Sequence, residues 1–67
     1  MQRTGHILTP RQREIIELMI RDYSDKMVAA ELNISINTVK AFKNLIYKIL
    51  GVHSSHGAVG KYLRDPS

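Results

Sequence analysis

The stretch Asn33-Ile34-Ser35-Ile36-Asn37-Thr38-Val39-Lys40 constrains this chain more than any other part of it. Asn tolerates the left-handed backbone that often closes a helix, Ile34 plugs the turn, and the Ser35 hydroxyl caps the free N–H groups of whatever follows. A helix must therefore end and another begin within a few residues. The second sets out with Asn37, Thr38 and Lys40 facing outward, the arrangement by which a helix-turn-helix offers its second helix to a DNA major groove.

The segments on either side supply the helices that such a turn needs. Thr9-Pro10-Arg11-Gln12 places a hydroxyl at an N-cap, a proline at the first helical position and a Gln at the third, a capping box with φ preset by the ring. The first helix is predicted to run to about Arg21, burying Ile15, Ile16, Leu18 and Met19. Ser24-Asp25 starts a short second helix with an acid where the helix dipole favours it, and Met27, Val28, Ala30 and Leu32 form its expected buried side. The third helix is expected from about Ile36 to Leu50. Val39, Phe42, Ile46, Ile49 and Leu50 recur every three or four positions and face inward, opposite Asn37, Lys40, Lys43 or Asn44, and Lys48. Gly51 closes it, and His53-Ser54-Ser55 leads into a fourth helix carrying Ala58, Val59, Tyr62 and Leu63 and ended by Asp65-Pro66. No strand signal is present. The expected fold is all-α, a compact four-helix domain over residues 9–64, with a polar arm at 1–8 and a tail at 65–67.

Composition narrows the functions open to such a domain. Sixty-seven residues without cysteine give neither a disulfide nor a thiolate zinc site, which suits a reducing cytoplasm. No apolar run approaches the ~20 residues that span a bilayer, and the polar start does not read as a signal peptide. Ten Lys and Arg against six Asp and Glu leave a net charge of +4, a basic bias that fits a polyanionic partner. His53 and His56 lie three apart with no further ligand to complete a metal site. Asp22 and Asp25 flank Ser24 without a nearby His, so the chain reads as no enzyme and needs no cofactor.

Taken together, Leu8 through Ile16, Ser24 through Leu32, Ile34-Ser35 with Thr38-Val39-Lys40, Leu50-Gly51-Val52 and Ala58-Val59 resemble the LuxR-type (GerE-like) helix-turn-helix family, without a gap from residue 8 to 64. The resemblance implies that the second and third helices form the helix-turn-helix and that the fourth is a dimerisation element, through Ala58, Val59 and Tyr62. It implies base contacts from Lys40, Ala41 and Asn44, with Ser35 and Thr38 at phosphates. Asn37, Lys43, Lys48 and Lys26 are further candidates for the DNA backbone, with Arg11 and Arg13 near the first two helices. The expected partner is double-stranded DNA, bound as a homodimer by a transcription regulator.

Some positions depart from the family pattern. Met27 stands where a Glu usually completes a capping box with Ser24, Phe42, Leu45 and Ile49 replace polar residues, and Gly57 and Gly60 interrupt the fourth helix. The apolar replacements serve the core, a dimer or a protein partner. A second reading is thus a module that binds and modulates another LuxR-type regulator.

Overall fold

The computed structural model describes residues 8–64, which form α1 (Pro10–Ile20), α2 (Asp25–Leu32), α3 (Ile36–Leu50) and α4 (Ser55–Arg64). The fold is all-α with no strand among the described residues. Residues 1–7 of the expected arm (1–8) and the expected tail at 65–67, with the Asp65-Pro66 stop, lie outside them.

Each helix begins with the same local device. A Ser or Thr oxygen accepts from the backbone N–H three residues on: Thr9 from Gln12 (3.1 Å), Ser24 from Met27 (3.1 Å), Ser35 from Thr38 (3.0 Å) and Ser54 from Gly57 (3.1 Å). Only α1 has the full capping box, where the Gln12 Oε1 accepts in return from the Thr9 N–H at 2.9 Å. Met27 cannot reciprocate, so α2 keeps half of that arrangement.

Three of the helices also end alike. Asp22, Asn33 and Gly51 take positive φ (68°, 58° and 69°), and the residue after each sends its N–H back to a carbonyl in the last turn: Tyr23 to Leu18, Ile34 to Ala29 and Val52 to Tyr47. These are Schellman closures, in which an apolar residue past the end folds back on the helix. Tyr23, Ile34 and Val52 all pack against the core. Asn33 and Gly51 were legible as stops; Asp22 was not, because Asp adopts this conformation only occasionally.

The core is aliphatic and drawn from all four helices. Ile15, Ile16, Val39, Ile46 and Ala58 are wholly buried, with Val28 and Leu50 nearly so. Each large side chain of this kind stabilises the fold by about 1.5–3 kcal/mol relative to exposure. Leu8, expected at the end of the polar arm, belongs to this core as well. In α2 the inward positions are Asp25, Val28, Ala29 and Leu32, spaced three, one and three apart on one helical face, so Ala29 is buried while Met27 and Ala30 point to solvent. The expected buried side of that helix is corrected accordingly.

Helices α1 and α3 each pack on all the others, whereas α2 and α4 do not pack on one another. A groove of about 380 Å³ opens between the α1–α2 turn and the start of α4, lined among others by Tyr23, Lys43, His56 and Val59.

Candidate nucleic-acid interface

Helix α3 has one side in the core and one in solvent. Val39, Ile46 and Leu50 are buried, while Asn37, Ala41, Asn44 and Lys48 follow one another at spacings of four, three and four and are all exposed. Lys40 is exposed beside them. A rigid helix thus carries two ammonium groups, two amides and one small apolar residue on a single outward face, donors and acceptors of the kind that read base edges.

At the head of α3 the two hydroxyls are linked. Ser35 Oγ and Thr38 Oγ1 lie 2.8 Å apart, and Ser35 Oγ also accepts from the Thr38 N–H. One hydroxyl proton joins the pair and the other is left to donate elsewhere. Together with the first-turn N–H groups that α-helix geometry leaves without a carbonyl, this makes a site suited to a phosphate oxygen.

The expected basic residues part company. Lys48 and Lys26 are exposed. Lys43 is not free: its Nζ donates to Asp25 Oδ1 at 2.6 Å, joining the middle of α3 to the first residue of α2. The ammonium expected at a phosphate is thus engaged in this structure by a carboxylate of its own chain. Arg11 pairs with Glu14 on the surface at 3.2 Å, an exposed contact worth little to stability.

The three residues expected at a dimer surface are also divided. Ala58 is wholly buried and Tyr62 is 8% exposed, both in the core of their own chain, and only Val59 is partly open. The Tyr62 hydroxyl donates to Glu17 Oε2 at 3.2 Å. Burial, and then this hydrogen bond, push the phenol above its ordinary value. Leu63, at 61% exposure, stands on the outer side of α4.

Among the described residues no cluster of three or more His, Asp or Glu could hold a metal ion, and no helix is long and apolar enough to cross a membrane. The sequence pattern of bacterial regulatory proteins of the luxR family matches residues 6–61. The chain belongs to the luxR family. It is 40% identical over 58 residues to the spore germination protein GerE of Bacillus subtilis (strain 168), covering 87% of this chain and 78% of that one. It is likewise 40% identical over 50 residues to the transcriptional activator protein BglJ of Escherichia coli (strain K12), covering 75% of this chain but 22% of BglJ. A solved structure of the transcription factor GerE superposes with a TM-score of 0.80 at 40% identity, covering 85% of both chains.

Within this luxR-family domain the departures from the family pattern have separate explanations. Phe42 and Ile49 pack against the core. Leu45 and Met27 do not, each standing 49% exposed. At Gly57 an added Cβ would lie 3.3 Å from the Val52 Cβ, so the glycine makes room for the residue that closes α3. Nothing in the structure explains Gly60, where a Cβ would meet only the end of Arg64 at 3.8 Å.

Proposed function

We propose that this luxR-family domain is a sequence-specific transcription regulator that lays α3 in the major groove of double-stranded DNA. The observation that carries this reading is the outward face of α3. Lys40 donates to guanine O6 and N7, Asn44 pairs with adenine, and Ala41 lies against a thymine methyl. Ser35, Thr38 and Asn37 at the helix head, with Lys48 and Lys26, hold phosphates and set the register. The proposed homodimer is built on the part of α4 left open by its own core, Val59 and Leu63. A regulator of this kind works in the cytoplasm and catalyses no reaction. The similarity to GerE, a transcription factor, and to BglJ, a transcriptional activator, supports the reading.

Selection of bound sequences from a random duplex pool tests it. An enriched motif is expected, with two half-sites in inverted orientation if the protein binds as a dimer. Recovery of no motif, with binding indifferent to sequence, overturns it. The exposed Leu45 and Met27 favour a second reading, association with another luxR-family regulator; a stable hetero-complex without duplex retention in size exclusion supports that instead.

A further inference from the structure

The Lys43–Asp25 ion pair joins two helices, and it sits where the docking of α3 is decided. Its members are 18 positions apart, on α3 and on the first residue of α2, with side chains 17% and 31% exposed. Both charges are therefore partly shielded from water, and the contact is short. Asp25 also occupies the N-terminal end of α2, where the helix dipole favours an acidic side chain. Because α2 packs on α1 and α3 but not on α4, the groove beside its start leaves this end of α2 without support from the fourth helix.

Lys43 lies three residues after Lys40 and one before Asn44. Rotation of α3 about its own axis would carry all three together. With side chains reaching about 5–6 Å from the axis, a roll of roughly 10° moves a side-chain tip by roughly 1 Å. Hydrogen bonds to base edges do not survive an error of that size. The buried apolar residues of α3 hold it to the core but resist such a roll only through packing, whereas a charge pair fixes a direction.

We infer that Lys43 and Asp25 are positioning residues that set the rotation of α3 relative to α2, and so the aim of Lys40 and Asn44, without touching DNA themselves. The inference rests on the proposed reading of the major groove by α3. It has a signature that charge alone cannot mimic. Lys43→Met removes a positive charge and Asp25→Asn a negative one, so an effect of net charge alone would have opposite signs in the two variants. If the pair sets the aim of α3, both substitutions lower the ratio of specific to non-specific affinity, by about tenfold, the weight of one base contact.

The experiment measures binding of the whole chain to its selected duplex and to a scrambled one across a salt titration, for the wild type, Lys43→Met, Asp25→Asn and Lys43→Arg. The expected result is a reduced ratio in the first two variants, a near wild-type ratio in Lys43→Arg, and no change in the salt slope for Lys43→Met. A slope lower by about 1 with the ratio intact would show Lys43 to be a phosphate ligand and overturn the inference. So would a ratio unmoved in both variants that break the pair. Circular dichroism melts identify an unfolded variant, and Asp25→Asn, which is nearly isosteric, keeps the test open if Lys43→Met fails to fold. Failure of the DNA reading itself is distinct, since then the wild type selects no duplex, and the inference falls with it.

Discussion

The Tyr62 hydroxyl and the Glu17 carboxylate meet at 3.2 Å, tying α4 to α1 across 45 positions of sequence. Burial and this bond raise the phenol above its ordinary value near 10. The folded chain thus holds the proton more tightly than the unfolded chain does, and ionisation favours unfolding. The contribution is fully present below about pH 10 and is lost as pH rises through the folded value. Tyr62→Phe is expected to lower stability by about 1 kcal/mol at pH 8. In urea melts at rising pH the gap between wild type and variant should narrow above pH ~10; a gap that stays constant would show that the hydroxyl carries no linkage.

Lys40→Ala should weaken binding to the selected duplex and lower the salt slope by about 1. Asn44→Ala, which removes no charge, should leave the slope alone and relax preference at one base position. Titrations at several salt concentrations on matched and single-mismatch duplexes read both effects. Wild-type behaviour of the two variants would mean that another face binds.

Gly51 closes α3 at φ 69° with open space around its missing Cβ. Any penalty for a side chain there is conformational and not steric. Gly51→Ala is expected to destabilise the domain by about 1–2 kcal/mol, and Gly51→Asn by clearly less, because Asn tolerates this region. Thermal melts of the two variants compare them directly, and equal losses would point to a cause other than backbone conformation.

The two glycines of α4 should respond differently to alanine. At Gly60 the added methyl meets only a flexible arginine end, so Gly60→Ala is expected to stabilise by about 0.5–1 kcal/mol and raise the melting temperature by a few degrees. At Gly57 the same gain in helix propensity is offset by the 3.3 Å approach to Val52, and no stabilisation is expected. A larger gain at Gly57 than at Gly60 would contradict the packing seen between α4 and the end of α3.

The helix boundaries were legible because they rest on contacts within a few residues. Thr9 with Gln12, Ser35 with Thr38, and the left-handed positions of Asn33 and Gly51 depend on the chain only locally, and the structure has them as expected. Met27 was misplaced because an eight-residue helix offers too few turns for its apolar pattern to fix one face. Ala58 and Tyr62 looked available to a partner since their spacing says that they share a face, not what covers it. The cover is their own core.

What the sequence determined by itself was the order and ends of four helices, the family to which they belong, and the set of polar residues on the outward side of α3. Local hydrogen bonds and side-chain periodicity are short-range, so they can be read along the chain. Only the tertiary structure decided which charges are at liberty. Lys40 and Lys48 stand in solvent, while Lys43 is claimed by Asp25, because the crossing of α2 over α3 brings together two residues that no local rule relates.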